Sequence, residues 1–322
     1  MKTGKYTGIK KRWDIHLKDF TAYLNDKKYA NDTIRADCNY AATYLDWLDN
    51  EEILETEITY SELLIYIEKL TTEGDSKGLI NRKLAAIRKY YDFLLYEGKA
   101  QKNPALGLFI KNKRHTVLSN LLTTEELTAL YENYQITDLR SQRNKVIVGL
   151  LVFQGVTREE IEKLEIEDVK LSAAKIEIPK GNHSNSRTLK LESLQILDIQ
   201  EYITKTRPEI LKEKGRYAAG RKPDNINQEK AQSQLFISMH GSDIIKNSFL
   251  HLLYGLRKLN PKLINARQIR QSVITIWLKT KDLRTTQYMA GHRYVSSTER
   301  YQVNALDDLQ EALKEFHPLS HL

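Results

Sequence analysis

Apolar residues recur at helical spacing through most of the first hundred positions. They include Ile15, Leu17, Phe20, Tyr23 and Leu24, then Ile34, Tyr40, Tyr44, Leu45, Trp47 and Leu48. Side chains three and four positions apart share one face of a helix, so this pattern predicts two helices broken near Asn31 and Asp32. A second pair is predicted over 60–70 and 79–96, the latter carrying Ile80, Leu84, Ile87, Tyr90, Tyr91, Leu94 and Leu95. Gly98 and Asn103-Pro104 then stop the pattern, as a helix end and a breaker do. Residues 1–110 thus read as a small helical domain. Residues 111–122, beginning Lys111-Asn112-Lys113-Arg114-His115, lack periodicity and read as a basic linker. Thr123 with Glu126 three positions later predicts a capping box that opens a second domain over 123–322.

In that second domain the period changes. Helical spacing at 145–153 and 161–169 gives way to alternation at 175–179, a polar stretch at 181–186, and alternation again at 187–191. Two alternating runs around a polar turn predict an antiparallel hairpin. Helical patterns return at 194–204, 247–259 and 268–279, while 212–234, with Gly215, Gly220 and Pro223, reads as a mobile loop. Near the end, Leu306, Leu309, Leu313 and Phe316 form a stripe behind Asp307 and Asp308, which predicts an amphipathic tail helix over about 304–317. The fold class is mainly α, with a small antiparallel sheet in the second domain.

Charge narrows the choice of partner. The 322 residues carry 50 Lys and Arg against 42 Asp and Glu, a net charge of +8, which favours a polyanion without proving one. Lys10, Lys11, Arg12, Arg82, Lys83, Arg88 and Lys89 are candidates for a phosphate-facing surface, and an ordinary solvated face explains them equally well. Cys38 is the only cysteine, which excludes an internal disulfide and a cysteine metal cluster and fits a reducing cytoplasm. No N-terminal apolar run approaches the roughly 18 residues of a membrane span.

The candidate chemistry lies in Met289-Ala290-Gly291-His292-Arg293-Tyr294-Val295-Ser296-Ser297-Thr298-Glu299-Arg300-Tyr301. A phenol has an ordinary pKa of about 10, so it needs cationic and acid/base neighbours to attack phosphorus. Upstream, Arg267-Gln268-Ile269-Arg270 places two guanidinium groups one helical turn apart, and Lys180-Gly181-Asn182 follows the first hairpin strand.

In this order, with Phe20-x-x-Tyr23-Leu24, Leu45-x-Trp47-Leu48 and Asn81-Arg82-Lys83-Leu84 upstream, the chain resembles the tyrosine recombinases, the phage-integrase and Xer-type family. The resemblance implies an N-terminal core-binding, SAM-like helical domain and a mostly α catalytic domain. It implies Tyr301 as the nucleophile that forms a 3′-phosphotyrosyl bond, Arg270 as a phosphate ligand, His292 as a phosphate ligand and candidate proton relay, and Lys180 as the donor to the leaving 5′-oxygen. It also implies that no cofactor or metal is needed. Partners would be double-stranded DNA and further copies of the chain in a tetrameric synapse, with or without an accessory protein, in a nucleoid-associated cytoplasmic setting. The tail helix would pack in cis or on a neighbouring copy.

Two positions depart from the family pattern. Where it has a first catalytic arginine, three residues before Glu160, this chain has Thr157, and Arg158 stands one residue late. The missing guanidinium would come from Arg158 through a shifted turn or from another cation such as Arg143. Where the family usually has histidine, this chain has Arg267, which donates to phosphate but stays charged and shuttles no proton. The reading is a site-specific recombinase or integrase. Its rivals are a non-catalytic DNA-binding relative that assists or regulates recombination, and a topoisomerase.

Overall fold

The computed structural model describes residues 13–111, 120–182, 184–217 and 228–302. The chain divides into two compact units, Met1–Arg114 and His115–Leu322. Among the described residues four helices of eight or more residues build the first: α1 (Lys18–Asp26), α2 (Asn31–Asn50), α3 (Tyr60–Thr72) and α4 (Lys77–Tyr96). The predicted break falls at 27–30, and Asn31 is already the first residue of α2. The core joins Phe20 and Leu24 of α1 to Tyr44 of α2, Tyr66 of α3 and Leu84, Ile87, Tyr90 and Tyr91 of α4, all buried. Two of its buried phenols meet: the Tyr44 and Tyr91 hydroxyls lie 2.9 Å apart, and Tyr91 donates to the Glu55 carbonyl. Such pairing removes most of the penalty for burying a hydroxyl.

Three cations of the candidate phosphate-facing surface have structural work instead. Lys83 is buried against Asp75 at 2.6 Å, Lys89 pairs with Asp37 at 2.6 Å, and Arg88 donates to the carbonyls of Ala105 and Leu108. Arg82 stays exposed. Residues 10–12 of that group lie outside the described residues, as do 112–119 of the linker and the whole of the 304–317 tail.

The second unit opens at α5 (Thr124–Glu132), whose capping box is formed as expected, with Thr123 accepting from the Glu126 amide and Glu126 from the Thr123 amide. Its centre is α6 (Leu139–Gln154), buried on nearly every side and packed by α5, α8 (Ser193–Glu201) and α12 (Ala266–Thr280). Between them run α7 (Arg158–Lys163) and a three-stranded antiparallel sheet of β1 (Val169–Lys170), β2 (Lys175–Ile178) and β3 (Arg187–Lys190), in that order. The helix expected over 161–169 therefore ends at Lys163, and a 3-10 turn leads into β1. The predicted hairpin is present, with Ile176 opposite Leu189 and Ile178 opposite Arg187.

Past α8 the chain winds through a π-turn (Tyr202–Thr206) into α9 (Arg207–Tyr217). Residues 218–227 lie outside the described residues, and α10 (Gln228–Ser233) follows, so the segment expected to be a loop is helical at 212–217 and 228–233. Arg207 explains part of this. Its guanidinium donates to the carbonyls of Ala231, Gln232 and Gln234, satisfying the end of α10. The described part of the unit closes with α11 (Lys246–Leu259), α12, α13 (Leu283–Ala290) and a helical turn over 296–302.

Candidate active site

One buried carboxylate organises the site. α6 ends at Gly155, whose left-handed backbone (φ +57°) turns the chain, and Thr157 then caps α7. Thr157 accepts from the Glu160 amide, and the Glu160 side chain accepts from the Thr157 amide at 2.8 Å. This capping box fixes Glu160, fully buried, where it faces two arginines. Arg187 donates to Oε1 at 2.6 Å and to Oε2 at 3.2 Å, and Arg270 Nη1 lies 3.9 Å from Oε2. Ser184 adds a bond to Oε1 at 2.7 Å. Burial alone would raise the Glu160 carboxyl, but Arg187 and then Arg270 bring it down to about 2.

Arg187 was not among the residues singled out from sequence. The signal was present, since alternation along β3 puts Arg187 on the inward face with Leu189, and a charge there requires a buried partner. Its guanidinium also donates to the Met289 carbonyl at 2.7 Å. The Asn185 amide donates to the Gly291 carbonyl at 2.8 Å. The hairpin is thereby fastened to the segment that carries Gly291 and His292. Gly291 ends α13 with φ +68°, and a Cβ there would lie 2.6 Å from Arg187 Nη1.

On α12, Arg270 donates to the carbonyls of Gly155 and Ala290, which aims one guanidinium across the ends of α6 and α13. Burial lowers its pKa, and Glu160 opposes that. The His292 and Tyr301 rings lie nearly parallel, 18° apart in plane with centroids 5.9 Å apart. His292 Nδ1 lies 2.8 Å from the Thr298 hydroxyl. Burial first, then Arg270 and Arg187, push His292 down to about 4, so the imidazole is neutral at pH 7. Burial raises the Tyr301 phenol, while Arg270, Arg267 and Arg300 pull against that shift.

Tyr301, His292, Arg270 and Arg267 are thus brought together, Arg267 as an exposed cation one turn before Arg270. Lys180 is exposed at the end of β2, on the hairpin that Glu160 and Gly291 hold. Arg158 is not drawn in: it lies on the outer face of α7, 43% exposed, 3.3 Å from Glu162. Nor is Arg143, which is buried on α6 and donates to the Ile237 carbonyl and Asn144. Arg293 reaches the Gly181 carbonyl. Thr157, where the resemblance leads one to expect the family's first arginine, has its hydroxyl committed to helix capping.

Comparison with known proteins follows the same lines. Residues 120–306 match the family described as "Phage integrase family", and residues 17–98 match "Phage integrase, N-terminal SAM-like domain". The chain is 27% identical over 305 residues to Tyrosine recombinase XerD of Staphylococcus epidermidis, covering 92% of this chain and 97% of that protein. It is 24% identical over 313 residues to Tyrosine recombinase XerC of Oceanobacillus iheyensis, covering 95% and 96%. Among solved structures it resembles the XerH site-specific recombinase bound to palindromic difH substrate, a post-cleavage complex, with a TM-score of 0.63 at 18% identity over 87% of this chain and 79% of that one. A lambda integrase dimer bound to a core site gives 0.57 at 11% identity over 89% and 94%. The chain belongs to the phage integrase family, the tyrosine recombinases.

Proposed function

We propose that the protein is a site-specific DNA recombinase in which Tyr301 is the nucleophile. The observation that carries this reading is the stacking of Tyr301 on His292 beside the Arg270 guanidinium. Tyr301 Oη attacks the phosphorus of one strand and the bond to the 5′-oxygen breaks, leaving a 3′-phosphotyrosyl link. The phenolic proton passes to solvent, and the leaving 5′-oxygen takes a proton from Lys180. Arg270, with Arg267 at the rim, stabilises charge on the non-bridging oxygens, and His292 contributes a neutral hydrogen bond. A 5′-hydroxyl from a second DNA end then reverses the step on a new partner. The bond energy is kept in the phosphotyrosine, so rejoining requires no nucleotide.

The first arginine's place is not refilled by a free guanidinium. Thr157 caps α7, Arg158 faces Glu162, Arg143 is held by Ile237 and Asn144, and Arg187 is consumed by Glu160. Arg270 therefore carries most of the phosphate-binding role. Double-stranded DNA is the substrate, and strand exchange between two duplexes calls for a tetramer of the chain, two copies on each. No helix among the described residues is long and apolar enough to cross a membrane.

Nicked suicide duplexes drawn from the DNA flanking the protein's own gene test this reading. Wild-type protein traps a covalent adduct on a 3′-phosphate end, and Tyr301→Phe traps none while still binding. Binding without an adduct on any such duplex overturns the enzyme reading in favour of a non-catalytic relative. Relaxation of supercoiled DNA without exchange of ends would favour a topoisomerase.

A further inference from the structure

Thr298 is the one polar side chain of the 296–302 turn that is fully buried, and its hydroxyl meets His292 Nδ1 at 2.8 Å. Neutral imidazole has one nitrogen that donates and one that accepts, and the bond at one ring atom fixes the role of the other. Two arrangements satisfy the distance. If Nδ1 donated, the Thr298 proton would be left inside the protein needing another acceptor, and an unmade bond of that kind is costly. If Thr298 donates, Nδ1 accepts and both groups are satisfied.

We propose that Thr298 is a positioning residue that holds the proton of His292 on Nε2, making the imidazole a hydrogen-bond donor to phosphate rather than a base for Tyr301. Thr298 lies one helical turn before Tyr301, so the turn that carries the nucleophile also sets the tautomer of its stacked partner. The parallel rings, 18° apart, are then held at both ends of one short segment. An imidazole serving as base for Tyr301 would need its free lone pair on Nε2, which this arrangement occupies with a proton. The catalytic consequence rests on Tyr301 being the nucleophile; the tautomer does not.

Nitrogen-15 NMR of histidine-labelled protein, with the His292 signals assigned through a His292→Gln variant, reads the tautomer directly. Wild type is expected to show unprotonated Nδ1 and protonated Nε2. Thr298→Val, isosteric but without the hydroxyl, is expected to give a mixture of tautomers and about a tenfold slower adduct formation at unchanged DNA affinity. Thr298→Ser restores both. Protonated Nδ1 in wild type overturns the proposal, and so does a Thr298→Val protein with wild-type tautomer and rate. Should Thr298→Val not fold, the wild-type spectrum and Thr298→Ser decide. Protonated Nε2 in a protein that forms no adduct upholds the tautomer and rejects Tyr301 as nucleophile.

Discussion

Glu160 and Arg187 form a two-pronged ion pair with neither side chain exposed, 2.6 Å at its shorter contact. It joins the start of α7 to β3, and through Met289 to the end of α13. Removing one partner leaves the other charge buried without its main counterion, which typically costs about 3–5 kcal/mol. Arg187→Met and Glu160→Gln are each expected to lower stability by that order, measured by chemical unfolding. The double variant Glu160→Leu/Arg187→Leu loses less than the sum of the single effects, because neither member of the pair is left stranded and only the more distant Arg270 loses its carboxylate. Additive losses would show that the pair is not the hub of this end of the unit.

Acid should weaken the protein in two steps. His292 is depressed from 6.5 to about 4, so the unfolded chain binds the proton first and stability present above pH 6.5 is lost as pH falls toward 4. Glu160 is depressed from 4.5 to about 2, so its contribution is present above pH 4.5 and is lost between there and 2. Urea midpoints taken from pH 7.5 to 3 check this. His292→Asn is expected to flatten the upper step while leaving the lower one in place. An unchanged upper step would mean that His292 is not held neutral.

Much of this arrangement was visible in the chain. Helical spacing marked α1 to α4, alternation marked β2 and β3, and the spacing from Arg270 through His292 to Tyr301 marked side chains that the fold brings together. Local pattern failed where a tertiary partner decides the outcome. The 161–169 stretch has helical spacing, but α7 stops at Lys163 and Val169 pairs with Ile176 of β2. Lys83 and Lys89 look like surface cations until Asp75 and Asp37 are seen opposite them. Alternation puts Arg187 on the inward face of β3, but its role is fixed only by Glu160 opposite it. Thr157 reads as a missing arginine in a motif and, in the fold, as a helix cap.

Arg158 and Arg270 should separate sharply under mutation. Arg158 is exposed and pairs with Glu162 across one turn of α7, an interaction worth a few tenths of a kcal/mol. Arg158→Ala is therefore expected to leave the rate of adduct formation within about twofold of wild type. Arg270 reaches Gly155 and Ala290 and lowers the pKa of both His292 and Tyr301. Losing a preorganised donor at the phosphate costs roughly 2.7–4 kcal/mol of barrier, so Arg270→Gln is expected to slow cleavage by about a hundred- to a thousandfold. Equal, large losses for both variants would bring Arg158 into the phosphate site through a rearrangement on DNA.

Gly291 offers a test of how tightly the hairpin and the nucleophile segment are coupled. Its φ of +68° is one that a side chain adopts only with strain, which costs of order 1–3 kcal/mol. A methyl group there also meets Arg187 Nη1 at 2.6 Å and the Asn185 carbonyl at 3.0 Å. Arg187 has little room to yield, because Glu160 and Met289 hold it. Gly291→Ala must therefore disturb either the Glu160 pair or the backbone that positions His292. The expected result is a fall in thermal midpoint together with a loss of adduct formation larger than the loss of DNA binding. The stability cost should shrink in an Arg187→Met background, where the crowding guanidinium is gone and the strain of the left-handed backbone and the Asn185 carbonyl contact remain. If the cost of Gly291→Ala is the same in both backgrounds, the contact with Arg187 contributes nothing, and backbone strain with the Asn185 carbonyl contact explains the glycine.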